Sequence, residues 1–273
     1  MQKHAKHRER EPYNLGKIFS VHTQADVIDC ILPFDVIPRI LTAKDWRIIV
    51  AGVGQRIQAI NFFLGDICGK CLILKDGLVP RDLVEGNANY RPEMAEVKVR
   101  HGTYVHVGGI DIVRDQAGEF RVLEDNCRTP SGVSYVIENR HLMQRTFPNL
   151  MDGIGVRSAS NYGNRLHRAL SEVAPARVKA PEIVSLSPGV FNSAYFEHVF
   201  LAREIGVPLV EGRDLFVEND RVFMKTIAGA RRIHVIYRRI DDEFLDPEVF
   251  RKDSTLGVPG LMRAYAKGKG PRR

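Results

Sequence analysis

Residues 109–132 read GIDIVRDQAGEFRVLEDNCRTPSG. Two runs rich in β-branched and aromatic residues flank Asp115-Gln116-Ala117-Gly118, so the stretch predicts a β-hairpin. Its second strand ends in Glu124, Asp125 and Asn126, with Arg128, Ser131 and Gly132 close behind. A core strand has no use for two carboxylates and an amide at its tip. A site for a divalent cation and a phosphorylated ligand does.

With a two- or four-residue loop, Arg114 pairs with Glu119 and Asp111 with Val122. Side chains alternate between faces, which puts Asp111, Val122, Glu124 and Asn126 on one face and Asp125 on the other. Asp111, Glu124 and Asn126 then offer Mg²⁺ the hard oxygen ligands it takes, waters and phosphate oxygens completing its shell. Arg128 is a candidate to fork onto phosphate. Ser131 and Gly132 precede a helix whose free N–H groups would attract an anion. The alternative is a solvated acidic face neutralised by Arg114 or Arg128. A loop of odd length would flip the register and part Asp111 from Glu124.

Upstream, Thr42 and Asp45 form a capping-box pattern before Trp46, Ile49, Val50, Val53, Ile57, Ile60 and Leu64, which predicts a packing helix stopped near Gly69. Cys68 and Cys71 give CxxC spacing at its end. No second such pair follows, so zinc is not indicated, and two incidental small residues is the simpler account. "LILKDGLVP" predicts a short strand and turns, and His106 a packed histidine. Downstream, helices are expected over 134–144 and 162–173. After Pro181 the order strand, helix, strand forms a βαβ-like unit. A hairpin around Asn219-Asp220 and one further strand, "RRIHVIYRRID", follow. The fold class is α+β or α/β, divided near residues 175–181 where Ala and Pro cluster. Lys225 and Arg239 are further candidates for phosphate or substrate carboxylate, with Arg238 in a surface ion pair.

The formal charge of +7 on 273 residues resides at the ends. Residues 1–12 hold four basic and two acidic side chains and residues 263–273 five basic and no acidic ones, so residues 13–262 are neutral overall. Basic character confined to two frayed ends argues against specific nucleic-acid binding. The polar N-terminus lacks the apolar core of a secretory signal. No apolar run is expected to span a bilayer, and sparse cysteines fit a reducing, cytoplasmic setting.

With "LPFDVIPRI", "QRIQAINFFLGDI", "LSPGVFNSAYFEHVFLAREIGVPLVEGRDLFV" and "VIYRRIDDEFLDP…DSTLGVPGL", the hairpin region resembles the circularly permuted ATP-grasp proteins, type 2, from about residue 30 to about residue 265. The resemblance implies ATP and Mg²⁺ as cofactors, and carboxylate and amine substrates joined through an acyl-phosphate. Related amide ligases such as glutathionylspermidine synthetase place an Asp, a Glu and an Asn at similar spacing. Carried over, Asp111, Glu124 and Asn126 hold the metal, while Arg128 and the Ser131-Gly132 loop face the transferred phosphate. Cys68-Gly69-Lys70-Cys71 stands where the family has Tyr-Gly-Glu-Gln. The family also continues past "GLMRAY" into Gly-rich and lysine segments that cover the ATP phosphates.

The expected organisation is therefore a partial ATP-grasp-like architecture. It has a divergent, partly disordered segment 1–29, a metal-site region 30–175, a βαβ-plus-hairpin region 176–262 and a basic, disordered tail 263–273. The alternative to a ligase domain is a non-catalytic metal- or anion-binding remnant, or a subunit that needs a partner chain.

Overall fold

The computed structural model describes residues 18–22, 27–31, 37–95, 97, 99–150, 153–190 and 192–267. Strands β1 (Ile18–His22) and β2 (Val27–Ile31) pair antiparallel, Ile18 opposite Ile31 and His22 opposite Val27. Both lie wholly or partly within the segment 1–29 expected to be divergent and partly disordered. The basic ends, 1–12 and 268–273, fall outside the described residues.

The chain forms two compact units. In the first, residues 39–130, α1 (Ala43–Ile67) starts at Thr42, whose hydroxyl accepts the Asp45 N–H while the Asp45 carboxylate accepts the Thr42 N–H. Both halves of the capping box are present. The helix ends where the Cys68 N–H reaches Leu64 O and the Gly69 and Cys71 N–H groups both reach Asp66 O, with Cys71 in the left-handed region at φ +54°. The Asp66 carboxylate then accepts the Leu72 and Ile73 N–H groups, each at 2.9 Å, and starts α2 (Leu72–Lys75). Residues 72–75 are helical, not the strand their aliphatic run suggested, because a carboxylate six residues back satisfies the first turn. With α3 (Arg81–Glu85) these helices enclose a small core of Ile67, Leu74 and Val84. The Asn61 side chain accepts the Tyr104 and Val105 N–H groups at 2.6 and 2.9 Å, tying the next segment along α1. That segment leads into β3 (Gly109–Arg114) and β4 (Phe120–Asn126).

In contrast to its expected role as a packing helix, α1 buries Ile67 alone; Ile49, Val53, Ile57, Ile60 and Leu64 are half-buried, and Trp46 and Val50 are exposed. By length and composition it could also cross a bilayer. Gln55, Arg56, Gln58 and Asn61 interrupt its apolar run, and a helix of a water-facing domain meets the same length and composition.

The second unit includes residues 131–267. Helices α4 (Val133–Thr146) and α5 (Tyr162–Glu172) precede β5 (Ile183–Leu186), α6 (Tyr195–Ile205) and β6 (Leu209–Val210). Strands β5 and β6 are parallel, as a βαβ unit requires. Helices α5 and α6 approach so closely at Gly163 that a Cβ there would overlap the Glu204 carbonyl. The hairpin β7 (Leu215–Glu218) and β8 (Arg221–Thr226) turns at Asn219 and Asp220, both left-handed at φ +50° and +56°, as a two-residue turn of this twist demands.

The run expected as one strand splits at His234. Strand β9 (Gly229–Ile233) pairs antiparallel with β8, while β10 (Val235–Arg238) joins β5 in parallel. The sheets are thus β10-β5-β6 and β7-β8-β9. Both feed one core of Val184, Leu186, Val210, Leu215, Met224, Ile233, Ile240, Val258 and Leu261. Each fully buried aliphatic side chain contributes about 1.5–3 kcal/mol.

The division of the chain falls at Pro130/Ser131 and not near 175–181, because α4 and α5 pack against α6 and β10. Part of the supposed tail is ordered as well. After the short α7 (Asp242–Leu245), α8 (Leu261–Lys267) carries Arg263 and Lys267 onto Asp220 at 3.1 and 2.6 Å, and Arg263 also onto Glu248 at 2.6 Å.

Candidate functional site

The β3–β4 loop has five residues, 115–119, so Arg114 pairs with Phe120 and not with Glu119. Continued unbroken, that odd loop would set Leu123 opposite Asp111 and turn Glu124 to the reverse face. A β-bulge intervenes: Ile112 pairs with Val122 and Asp111 with Glu124, leaving Leu123 as the extra residue. Glu124 therefore lies directly across from Asp111, and Asn126, opposite Gly109, shares their face. Val122 does not; the bulge sends it to the other side.

That other side belongs to α1. Asp125, paired with Ile110, accepts a bidentate contact from Arg56 at 2.7 and 2.8 Å. Arg114, stacked 4.6 Å over Phe120, reaches Asp45 at 3.1 Å, so it does not neutralise the acidic pair. On the acidic face, Arg121 is held by Asp115 at 2.9 Å. Asp111, Glu124 and Asn126 are exposed, and the Asn126 amide donates to Glu124 Oε1 at 2.9 Å. Two like charges directly opposite on a strand pair repel, and a cation relieves that. Among the described residues no three of His, Cys, Asp and Glu gather as a metal group; the donor set here is two carboxylates and an amide. That set suits an ion which keeps several waters. Arg128 is exposed just beyond β4, and His106, expected to be packed, is exposed too.

In the second unit a buried carboxylate governs the geometry. Glu197, on α6 and fully inaccessible, accepts through Oε2 the Gly132 N–H at 2.7 Å, the Ser134 N–H at 3.1 Å and the Ser134 hydroxyl at 2.7 Å. Gly132, at φ +114°, bends the chain so that these donors converge. Through Oε1 Glu197 accepts Arg239 Nη2 at 3.2 Å, and that guanidinium also lies 5.6 Å over Tyr237. Burial, with Tyr237 and Glu197 nearby, pushes the Tyr162 phenol up to about 12. Next along α6, His198 Nδ1 lies 2.9 Å from the Ser187 hydroxyl, which itself accepts the Gly189 N–H at 3.1 Å. Burial, aided by the charge of Arg239, lowers His198 to about 3 and keeps it neutral.

The family model for a circularly permuted ATP-grasp matches residues 38–270. The chain belongs to the circularly permuted ATP-grasp family. An uncharacterised protein of Synechocystis is 48% identical over 257 residues, which cover 94% of this chain and 53% of that protein. An uncharacterised protein of Mycobacterium tuberculosis is 50% identical over 86% of this chain and 43% of its own length. A putative glutamate–cysteine ligase of Frankia alni is 37% identical over 96% of this chain and 30% of its own. The chain thus spans about half, or less, of the length of these relatives.

The phosphate contacts expected of this ATP-grasp chain fare unevenly. Gly132 has its N–H on Glu197, and Arg239 is buried on the same carboxylate, so the helix start that was to hold an anion already holds one. Ser131 is exposed. Lys225 is also exposed, with its ammonium on Arg213 O at 2.7 Å. Arg238 forms the expected ion pair, with Asp242 at 3.1 Å. The helix start at Asn192 is local, its side chain accepting the Ala194 N–H at 2.9 Å. The role of Glu197 escaped the sequence because its partners lie 42 to 65 residues away. The available signal was an ionisable pair, Glu197-His198, set among aromatic and aliphatic residues on one helix.

Proposed function

We propose that this chain is the metal-holding part of an Mg·ATP-dependent carboxylate–amine ligase. The observation that carries the proposal is the direct pairing of Asp111 with Glu124 on an exposed hairpin face, with Asn126 beside them, in a chain of the ATP-grasp family. In such a ligase a substrate carboxylate oxygen attacks the γ-phosphorus of ATP, ADP leaves, and an amine then attacks the acyl carbon and expels phosphate. Mg²⁺, when bound, neutralises charge that develops on the phosphoryl oxygens. Asp111, Glu124 and Asn126 supply its oxygen ligands, and Arg56 supports them from behind by fixing Asp125 and hence the strand. Arg128, exposed just beyond β4, would meet a phosphoryl oxygen. The relative named as a putative glutamate–cysteine ligase supports amino-acid-like substrates.

A second role is that of a metal- or anion-binding subunit that turns nothing over by itself. Calorimetric titration of ATP with and without Mg²⁺ tests the metal-site proposal. Metal-dependent binding abolished by Glu124→Gln is expected. ATP binding indifferent to both chelation and Glu124→Gln would overturn it. Binding without ADP release in any mixture of amino acids selects the second role.

A further inference from the structure

Ile137, Arg140, His141 and Gln144 follow one another along α4 at spacings of three, one and three, so they share one face of the helix. A second wall comes from residues 154–160, and the two enclose a cavity of about 340 Å³. That is the small end of the roughly 300–1,000 Å³ typical of small-molecule sites. Both walls belong to the second unit, so the cavity is formed by that unit alone.

Arg140 joins the walls, donating through Nη1 to the Arg157 carbonyl at 3.2 Å. A guanidinium carries five N–H donors, so this single contact leaves enough for a two-pronged grip on an oxyanion. The hydroxyl oxygens of Ser158 and Ser160 lie 2.7 Å apart, and Ser158 Oγ accepts the Ser160 N–H at 3.1 Å. Two hydroxyls hold two protons, and the bond between them uses one. The other is left for an acceptor in the cavity, whichever hydroxyl donates. His141 is steadied through Nδ1, 3.2 Å from Glu138 Oε1. The remaining lining is aliphatic. Ile137 is buried, whereas Ile154 and Val156 are 60% and 41% exposed.

We infer that this cavity binds a small carboxylate with a branched aliphatic chain. The carboxylate takes the Arg140 guanidinium and the spare serine proton, and the chain covers Ile154 and Val156. Among the lining residues Arg140 carries the one permanent charge. It matches a single carboxylate, whereas a phosphate dianion calls for a second fixed cation. None of these residues belongs to the metal hairpin, so this inference and the ligase reading stand or fall separately.

Calorimetric titration of the full chain with isovalerate, isoamyl alcohol and inorganic phosphate, without ATP or Mg²⁺, tests it. Saturable binding of isovalerate is expected, with new hydrogen-exchange protection across residues 137–160 and no comparable binding of the other two. Arg140→Gln should weaken isovalerate at least about ten-fold, since hydrogen bonds to a charged group are lost. Val156→Asp should do the same by setting a second carboxylate beside the bound one, and it leaves the Arg140 tie to residue 157 in place. Any of four results overturns the inference: no binding of isovalerate, isoamyl alcohol binding as tightly, phosphate binding more tightly, or isovalerate affinity unchanged in Val156→Asp.

Discussion

Asp111 stands directly across the ladder from Glu124 even though an odd number of residues joins their strands. The extra residue at Leu123 offsets the odd loop and returns both acids to one surface. Leu123 is 68% exposed, so it contributes little to packing. Deleting it leaves Ile112 opposite Val122 and Asp111 opposite Glu124. Such a variant should keep Mg²⁺ affinity within about three-fold and stay folded. A Gly inserted between Val122 and Leu123 should abolish metal binding in the same titration. Loss of binding in the deletion would show that the bulge's bend, not the register, shapes the site.

Glu197→Gln should be among the most damaging single changes in the second unit. It leaves the Arg239 charge buried without its counter-ion, for which about 3–5 kcal/mol is typical. Urea unfolding measures it. The double variant Glu197→Gln/Arg239→Met should recover part of the loss, since the stranded charge is gone. Equal instability of both would assign the effect to the Gly132 and Ser134 hydrogen bonds instead.

Asp246 is fully buried and accepts the Glu248 and Gly260 N–H groups through Oδ1, each at 3.0 Å, and the Met262 N–H through Oδ2 at 2.8 Å. Replacement by Ala orphans these donors at roughly 1–3 kcal/mol for each that stays dry. Faster hydrogen exchange across Leu261–Lys267 should accompany the drop in unfolding midpoint, because Asp246 anchors the start of that helix.

Acid should destabilise the second unit before carboxylates begin to titrate. His198 is held to about 3 when folded, against about 6.5 when unfolded. The stability it confers is complete above about pH 6.5 and is lost as pH falls toward 3, because the unfolded chain takes up the proton first. Between pH 6.5 and 5 the loss is about 2 kcal/mol. His198→Gln should flatten that portion of the profile. A slope unchanged in His198→Gln would assign it to other histidines, of which His234 is also lowered by burial.

What the sequence made legible were local devices. The Thr42–Asp45 capping box, the Asn219-Asp220 turn and the βαβ unit all stand where spacing placed them. Local composition failed where a distant or paired group decided the outcome. Asp66 turned an aliphatic run into a helix, and His234 divided one β-run between two sheets. The acidic face was expected from a loop of even length, yet it arises from an odd loop and a bulge. Each departure alone would have scattered the ligands. Glu197 was invisible for a related reason: whether a carboxylate caps its own helix or a distant one depends on tertiary burial, to which neighbours in sequence are silent.

The order in which Glu197 and its partners leave the ribosome has its own consequence. Gly132 and Ser134 emerge long before this acid, but the guanidinium that balances it follows only 42 residues later. Until then a growing chain that closes α4 onto α6 would confine an anion with no cation, so translation itself favours holding that half open until β10 has appeared. A pause between codons 197 and 239 would lengthen the interval in which the nascent chain is vulnerable to proteases and chaperones.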